Sequence, residues 1–469
     1  MSSSVADLAA QAANLDIASD ADIAPGRLTI AEYAENFSDI HPPLDRNKAI
    51  IEANRCLFCH DAPCIEACPT GIQIPIFIKK ISTDNVKGSA RTILEANIMG
   101  GSCARVCPTE ELCEEACVRN TQSDQPIKIG QLQRYAVDGL MKRDDRQIFV
   151  RKPKTGKRIA VVGAGPAGLS CAHRLSREGH DVFVFEAREK SGGLNEYGIA
   201  AYKVPDDFAQ KEVDYILSLG GIEVKYGQAL GKQITLTQLR KDYDAVFLGM
   251  GLAGVNALGL EEETLEGVES AVDYIEELRR AQPDLSKLPV GRRVVVIGGG
   301  NTAIDVAIQA KRLGAEYVTL VYRRGAESMT ATVWEQEFAQ TNGVVIKHWA
   351  QPKKLIGRRG RVAGIECEYT QMDANGKLMG TGDTFTIDAD QIFKAIGQTF
   401  VPSPLQDNGK DILQLSKKGR IAVNDDGLTS LPGVYAGGDC TEGQDLTVAA
   451  VEGGKVAAEA IDRFLKGKK

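Results

Sequence analysis

Two glycine-rich turns and one dense group of cysteines predict an α/β protein. Eight of the 11 cysteines fall between residues 56 and 117, inside a stretch whose apolar spacing is helical. The glycine-rich turns begin at residues 163 and 298, and each joins a buried strand to a helix. The predicted architecture is therefore a helical, cysteine-rich N-terminal domain followed by two Rossmann-like dinucleotide-binding domains.

The cysteines form two groups of four with unequal spacers. The residues are Cys56, Cys59, Cys64 and Cys68 in the first group, and Cys103, Cys107, Cys113 and Cys117 in the second. Structural zinc sites commonly use two ligand pairs, each with one short spacer. A proline follows Cys68 and Cys107, as it follows the last cysteine of the bacterial ferredoxin motif. Two [4Fe–4S] clusters are thus favoured, with zinc left as the alternative.

Charge and hydropathy exclude several classes of protein. The formal net charge is −7, which argues against a nucleic-acid-binding surface. There is no run of about 18 apolar residues that would span a membrane. The first 23 residues are acidic and lack the basic start of a signal peptide. We expect a cytoplasmic protein whose thiols are reduced, so a disulfide framework is disfavoured.

The first glycine-rich turn has the full context of a dinucleotide-binding motif. A buried strand, Arg158–Val162, precedes Gly163, Gly165 and Gly168, and the next strand ends at Glu186. The glycines permit a tight turn and a close approach of the backbone to a pyrophosphate, which the helix N-terminus attracts. Glu186 is placed to accept hydrogen bonds from a ribose diol.

The second turn has the same pattern without the acidic residue. Its predicted cofactor contacts are Gly298, Gly300, Asn301, Thr302, Ala303, Arg323 and Arg324. Alanine is allowed at the third glycine position, and an arginine after the second strand suits the 2′-phosphate of NADP. A solvated basic turn explains the arginines nearly as well, so the choice between NADH and NADPH stays open.

The end of the chain returns to the first dinucleotide domain. A short strand leads into Gly438 and Asp439, and a helix begins near Thr447 and Val448. The positive end of that helix suits a developing anion such as reduced flavin. We predict a helical domain at 1–150, an FAD-binding domain at 151–288 and 396–469, and an inserted NAD(P)-binding domain at 289–395. The flavin carries the chemistry, and no side chain is assigned a catalytic role.

These motifs together resemble a known family. The two turns, the Gly192-Gly193-Leu194 segment, Gly437-Gly438-Asp439 and the cysteine spacing resemble the flavoproteins of the glutamate synthase small-subunit type. Residues 126–133, Pro-Ile-Lys-Ile-Gly-Gln-Leu-Gln, are closer to the N-terminal part of dihydropyrimidine dehydrogenase, whose stand-alone bacterial form is an electron-input subunit. The resemblance extends from about residue 40 to the end.

The resemblance implies a specific set of cluster ligands. One cluster would be held by Cys56, Cys59, Cys64 and Cys117, and the other by Cys68, Cys107, Cys113 and Gln133. Cys103 then has no ligand role, although a count of thiols alone would give it one. A glutamine oxygen in place of a thiolate removes one negative charge, so the two clusters should differ in potential. Gly193 and Leu194 would contact the flavin.

The implied function is electron input to a partner. NAD(P)H, with NADH favoured by the resemblance, would reduce FAD, and electrons would leave singly through the two clusters. The partner would be a subunit containing FMN and Fe–S clusters, in a heterotetramer that reduces uracil or thymine to the 5,6-dihydro form in pyrimidine metabolism. The alternatives are a glutamate synthase small subunit, a bifurcating transhydrogenase subunit, and a zinc-bearing module that only senses redox state.

Overall fold

A computed structural model describes residues 23–123, 125–407, 410–411 and 413–467. The acidic N-terminal segment used above to argue against a signal peptide lies, up to residue 22, outside them. The α-helices in chain order are α1 (Ile30–Asn36), α2 (Arg46–Asn54), α3 (Pro63–Glu66), α4 (Ile74–Ser82), α5 (Val86–Ala96), α6 (Gly100–Val106), α7 (Asn120–Ser123), α8 (Ile129–Met141), α9 (Pro166–Arg177), α10 (Leu194–Tyr197), α11 (Phe208–Leu217), α12 (Leu236–Asp242), α13 (Ala271–Ala281), α14 (Asn301–Arg312), α15 (Val333–Thr341) and α16 (Thr447–Gly467).

The β-strands alternate with these helices only after residue 157, as the fold class predicts. They are β1 (Ile23–Ala24), β2 (Arg158–Val162), β3 (Asp181–Phe185), β4 (Ile222–Lys225), β5 (Ala245–Leu248), β6 (Gly254–Val255), β7 (Val268–Ser270), β8 (Val290–Gly291), β9 (Arg293–Gly298), β10 (Tyr317–Val321), β11 (Val344–Lys347), β12 (Ala350–Arg358), β13 (Arg361–Met372), β14 (Leu378–Asp388), β15 (Gln391–Ala395), β16 (Gln398–Thr399), β17 (Gln406–Asp407), β18 (Lys410–Asp411) and β19 (Val434–Ala436). The prediction of a mixed α/β fold with a helical N-terminal region is confirmed.

The described chain divides into two compact units. One comprises residues 23–38, Gly198–Tyr202 and Val255–Gly397. The other comprises Asp39–Tyr197, Lys203–Gly254 and the described residues from 398 to 467. The larger unit carries the eight clustered cysteines, the first glycine-rich turn and the end of the chain. The smaller unit carries the second glycine-rich turn. The four domain limits given above stay a prediction.

A five-stranded parallel sheet forms the second half of the larger unit. Its strand order is β19-β5-β2-β3-β4, so the last strand of the chain pairs with β5 and completes the sheet. The successive residues Ile159, Ala160 and Val161 of β2 are fully buried, so both faces of the strand are covered. This is typical of parallel sheets covered by helices. The glycine-rich turn therefore leaves the sheet from an inner strand.

The N-terminal helices of the larger unit pack around an aliphatic core. On α4, Ile74, Phe77, Ile78 and Ile81 follow helical spacing and are all buried, and each contributes about 1.5–3 kcal/mol on burial. Helix α5 begins with an Asn85 cap that accepts a hydrogen bond from Gly88 N, because the first N–H groups of a helix lack partners within it.

Gly100 and Gly101 are the first two residues of α6 and lie in close contact with other segments. The break between α5 and α6 falls at residues 97–99. A Cβ at Gly101 would collide with the Phe208 ring, and one at Gly100 would collide with Ile93. These glycines therefore serve close packing rather than a turn.

Among the described residues, no helix is long and apolar enough to cross a membrane.

The smaller unit contains a second parallel sheet. Its order is β11-β10-β9-β15-β7, and the second glycine-rich turn follows the central strand β9. An antiparallel sheet of three long strands, β12-β13-β14, belongs to the same unit. Both glycine-rich turns thus leave an inner strand of a parallel sheet at its carboxyl end, where such folds bind nucleotides.

Candidate functional site

The cysteines surround two separate cavities in the larger unit. The first, which we call the glutamine cavity, has about 360 Å³ of space free of protein atoms. It is lined by Cys68, Pro69, Ile72, Ile74, Asn97, Cys103, Ala104, Cys107, Thr109, Leu112, Cys113, Gly130, Gln133 and Val448. Four thiols and two side-chain amides, those of Asn97 and Gln133, therefore meet here.

The second cavity, which we call the thiol cavity, has about 380 Å³ of such space. Its lining residues are Cys56, Leu57, Cys59, Pro63, Cys64, Ile74, Pro75, Ile78, Ala116, Cys117, Val118, Arg119, Ile127 and Ile129. Ile74 lines both cavities, so one buried side chain separates them.

The last cysteine of each sequence group lies in the cavity that is lined by the other three cysteines of the opposite group. Cys117 lies with Cys56, Cys59 and Cys64 in the thiol cavity, while Cys68 lies in the glutamine cavity with the second group. Each cavity therefore draws residues from both groups, the arrangement that the resemblance implies.

Gln133 lies on α8 with its side chain fixed in the glutamine cavity. It is 7% exposed, and its Nε2 donates a hydrogen bond of 2.7 Å to the Gly100 carbonyl. Only the NH₂ group of an amide can donate to a carbonyl, so this bond settles which atom is the nitrogen. The amide oxygen is then the atom left to act as a ligand.

Cys103 lines the glutamine cavity, although the resemblance implies no ligand role for it. It is buried and lies four residues before Cys107 on the same face of the chain. Its thiol is a hydrogen-bond partner of Cys107, and this bond is the largest cause of a raised pKa of Cys107. The glutamine cavity thus holds five potential donors for a cluster that needs four.

Burial raises the pKa of some of the thiols that line the cavities. Burial, followed by the charges of Cys56, Cys117 and Cys59, raises the pKa of Cys64 to about 12. Burial followed by the Glu114 carboxylate also raises the pKa of Cys113 well above its ordinary value. Because the ligand is the thiolate, binding of iron must release protons here.

The donor set fits iron–sulfur clusters. Among the described residues, no three His, Cys, Asp or Glu side chains converge closely enough to hold one metal ion. The thiols surround cavities instead, and thiolates are the usual ligands of [4Fe–4S] clusters.

The first glycine-rich turn is built for close backbone packing. A Cβ at Gly163 would collide with the Gly249 carbonyl, and a Cβ at Gly168 would collide with the Gly163 carbonyl. A Cβ at Gly165 would meet only an ordinary contact, 3.7 Å from Gly193 Cα. Gly165 caps α9, so its open side is where a phosphate could meet the helix N-terminus.

Glu186 lies beside this turn and is 8% exposed. Its carboxylate accepts hydrogen bonds from Ala164 N at 2.7 Å and from Arg188 N at 2.9 Å. The carboxylate therefore holds the turn, and each oxygen keeps a lone pair for a sugar hydroxyl.

The end of the chain brings further polar groups to the same half of the unit. Burial, then the charge of Asp445, raises the pKa of Asp439 to about 6. Helix α16 begins at Thr447, whose hydroxyl donates to Asn195 Oδ1 at 3.0 Å. Asn195 is fully buried, and its Nδ2 has no partner among the described residues.

Asn195 was not among the residues predicted from the sequence. It directly follows Gly193 and Leu194 at the start of α10, and that position was the signal that could have identified it. An unpaired buried amide beside the flavin motif fits a polar ligand such as the isoalloxazine ring of FAD.

The second glycine-rich turn, in the smaller unit, has the same construction. A Cβ at Gly298 would collide with the Ala395 carbonyl. Gly300 caps α14, in which Ala303 is buried and Thr302 is partly buried. The Asn301 Oδ1 atom is buried without a partner in the described chain, which again fits a polar ligand.

The two arginines follow β10 in the smaller unit. Arg323 is exposed and Arg324 is half-buried. Their backbone carbonyls accept hydrogen bonds from the Thr370 hydroxyl and from Trp349 N. The backbone of this turn is therefore held while the side chains project from it.

Comparison with known proteins identifies both halves of the chain. The family model of pyridine nucleotide-disulphide oxidoreductases matches residues 157–454. This chain belongs to that family. A second model, dihydropyrimidine dehydrogenase domain II with a 4Fe-4S cluster, matches residues 33–145.

Curated relatives cover almost the whole chain. The NAD-dependent dihydropyrimidine dehydrogenase subunit PreT of Escherichia coli O157:H7 is 36% identical over 437 residues, which are 93% of this chain and 98% of that protein. The glutamate synthase [NADPH] small chain of Escherichia coli K12 is 34% identical over 92% of this chain and 94% of its own length. The family resemblance seen in the sequence is confirmed.

Solved structures support the fold. Mycobacterium tuberculosis FprA in complex with NADPH has a TM-score of 0.56 at 19% identity and covers 67% of this chain and 85% of its own. Thioredoxin reductase from T. acidophilum has a TM-score of 0.51 at 20% identity, over 66% of this chain and 99% of its own. The protein is an NAD(P)H-dependent flavoprotein oxidoreductase with a 4Fe–4S electron-transfer domain.

Proposed function

We propose that this chain is the electron-input subunit of a dihydropyrimidine dehydrogenase. It oxidises NADH at FAD and passes electrons through two [4Fe–4S] clusters to a partner subunit that reduces uracil or thymine. The observation that carries the proposal is Gln133, whose amide is fixed in a cavity with four cysteine thiols. The relative named PreT, which is similar over nearly the whole chain, supports the same assignment.

The ligands of the two proposed clusters follow the two cavities. Cys68, Cys107, Cys113 and Gln133 would bind one cluster, and Cys56, Cys59, Cys64 and Cys117 would bind the other. When bound, the flavin would supply the exchange between two-electron and one-electron transfer, and the clusters would carry single electrons.

The residues of the larger unit suggest the order of electron transfer. Val448, at the start of α16, lines the glutamine cavity, so the flavin motif and this cavity share a residue. Ile74 lines both the glutamine cavity and the thiol cavity, so the two cavities are neighbours. Leu57, which lines the thiol cavity, is 42% exposed. Electrons would therefore enter at the glutamine cavity and leave from the thiol cavity.

The FAD-binding residues fall into two groups, one for the pyrophosphate and ribose and one for the flavin. Gly163, Gly165 and Gly168 would leave room for the pyrophosphate at the start of α9, and Glu186 would accept bonds from the ribose. Gly193, Leu194, Gly438, Asp439, Thr447 and Val448 would surround the rest of the flavin. The start of α16 would stabilise negative charge on the reduced ring.

NADH is the proposed electron donor. Gly298, Gly300, Asn301, Thr302 and Ala303 would bind its pyrophosphate, and Arg323 and Arg324 would lie near the adenosine ribose. We expect a higher kcat/KM for NADH than for NADPH in a ferricyanide assay, with little change for NADH in R323A or R324A. A preference for NADPH that R323A abolishes would assign the donor as NADPH instead.

The partner decides between the two leading functions. Affinity purification of the chain from its own host without oxygen, followed by mass spectrometry, should retain a subunit with FMN and Fe–S clusters in a heterotetramer. The complex should then oxidise NADH in a uracil-dependent reaction. The similarity to a glutamate synthase small chain keeps one alternative: recovery of a glutamine-using large subunit would establish that function and reject the pyrimidine proposal.

A further inference from the structure

Asn97 is a buried amide that lines the glutamine cavity. It follows α5 and is 0% exposed. Its Oδ1 accepts a hydrogen bond from Met99 N at 3.0 Å, but its Nδ2 has no partner among the described residues. A buried donor without a partner costs about 1–3 kcal/mol, so such a group calls for an explanation.

The orientation of this amide is fixed by its one hydrogen bond. Met99 N–H is a donor, so the atom that faces it must be the amide oxygen. The NH₂ group is then the part of Asn97 left without a partner at the cavity. The acceptors around this cavity include the sulfur atoms of Cys68, Cys107 and Cys113.

We propose that Asn97 Nδ2 donates an N–H···S hydrogen bond to the [4Fe–4S] cluster of the glutamine cavity and raises its reduction potential. The proposal rests on the cluster assignment of the proposed function. Reduction adds negative charge to a cluster, and a hydrogen-bond donor to its sulfur stabilises the more negative form. Asn97 is thus a positioning and tuning residue, not a catalytic one.

The thiol cavity supports the contrast. Among the described residues that line it, none is asparagine or glutamine. The glutamine cavity has both, and both act in the same direction, since Gln133 removes a negative charge and Asn97 adds a donor. The two amides should therefore make the cluster next to the flavin helix easier to reduce than it would be without them.

The first test is a redox titration of the holoprotein, purified without oxygen and followed by EPR. In N97A, the midpoint of one of two reduction waves should fall. At the wild-type midpoint, the ratio of reduced to oxidised cluster should drop severalfold and up to about tenfold, or about 59 mV for one electron. The other wave should keep its midpoint.

A matched control comes from the other end of the same helix. Asn85 Oδ1 accepts a hydrogen bond from Gly88 N at 2.9 Å, which is the same kind of bond that Asn97 makes with Met99 N. Asn85 does not line either cavity. N85A should therefore leave both midpoints unchanged, even where loss of the cap lowers the stability of α5.

A second variant and a spectroscopic readout remove the dependence on N97A folding well. N97D keeps the acceptor for Met99 N and, at about pH 9, replaces the donor by a carboxylate, so the same midpoint should fall. In protein labelled with ¹⁵N in asparagine side chains, pulsed EPR of the reduced state should show a nitrogen coupling that N97D removes.

The results that overturn the proposal are distinct from those that overturn the proposed function. If N97A and N97D both retain their clusters with unchanged midpoints, Asn97 is not a donor to the cluster. In a variant, partial loss of the glutamine-cavity cluster with an unchanged midpoint in the fraction that remains would make the role of Asn97 purely structural. Wild-type protein without iron and sulfide would reject the cluster assignment itself, and this inference with it.

Discussion

The two cavities both contain cysteine thiols and differ in their other polar side chains. The thiol cavity is lined by four cysteines, by aliphatic side chains and by Arg119. The glutamine cavity adds two side-chain amides, Gln133 and Asn97, and a fourth thiol, Cys103. One fold therefore presents two environments of different charge and hydrogen bonding, separated by Ile74. The difference shows how two clusters of one type could be given different potentials.

The largest expected effect separates ligand cysteines from the extra thiol. C117A should remove about half of the iron and acid-labile sulfide, because it deletes one ligand of the proposed cluster in the thiol cavity. C103A should retain both clusters, because Gln133 supplies the fourth ligand in the other cavity. Iron, sulfide and flavin analysis of the purified protein measures both.

A buried cysteine outside the cavities provides the control for these variants. Cys171 lies in α9 and is fully buried, so C171A tests the effect of losing a core thiol alone. Loss of half of the iron in C103A, together with full iron in Q133L, would exchange the roles assigned to these two residues.

The next effect concerns the charge difference between the cavities. Q133C would add a thiolate to the glutamine cavity and should lower the potential of its cluster by about 59 mV, a tenfold change in the reduction equilibrium. Q131C, two residues earlier on α8, should leave both potentials unchanged. An EPR-monitored titration measures them, and an unchanged potential in a Q133C protein with full iron would contradict Gln133 as ligand.

A buried carboxyl group anchors the helix that borders only the glutamine cavity. Glu212 accepts hydrogen bonds from Gly101 N at 2.9 Å and from Ser102 N at 3.1 Å at the start of α6. Burial raises the pKa of Glu212 to about 7, and its bonds with Ser102 and the charge of Arg105 oppose that rise. The folded protein thus keeps a proton that the unfolded chain has released.

The sign of the pH dependence follows from this raised pKa. Between about pH 4.5 and 7 the folded state binds more protons than the unfolded state, so the free energy of unfolding falls as pH rises. The loss should reach about 3 kcal/mol by pH 8, and E212Q should flatten it. Calorimetry of holoprotein from pH 5 to 8 measures the slope, and equal slopes for wild type and E212Q would refute the assignment.

The smallest expected effect concerns the residue that the cavities share. Ile74 is 1% exposed, and I74V should lower the free energy of unfolding by about 0.5–1.5 kcal/mol through the lost methyl group. Iron content should not change, because Ile74 supplies no ligand. Denaturant unfolding and iron analysis measure the two quantities, and loss of iron from I74V would mean that the cavities depend on this contact.

The sequence predicts the parts of the fold that local pattern controls. The strand before the first turn has the predicted bounds, the next strand ends at Phe185, one residue before Glu186, and the closing helix begins at Thr447 as expected. Glycine, alternating apolar residues and helix starts act over a few positions, so their effects can be read from short segments.

Other features depend on contacts between distant segments. The unpaired amides of Asn97 and Asn195 arise only when the chain is folded, and so does the burial of Glu212 against α6. Positions 100 and 101 require glycine because Ile93 and Phe208 leave no room for a side chain there. The presence of Cys103 in the glutamine cavity likewise follows from packing, which spacing alone does not determine.

One measurement tests the central claim, that a single chain holds two [4Fe–4S] clusters in unlike cavities. Protein purified without oxygen should contain about eight iron and eight acid-labile sulfide ions for each FAD. On reduction, EPR should show two clusters that titrate at different potentials. Zinc without sulfide, or a single cluster that is unaffected by C117A, would contradict the account.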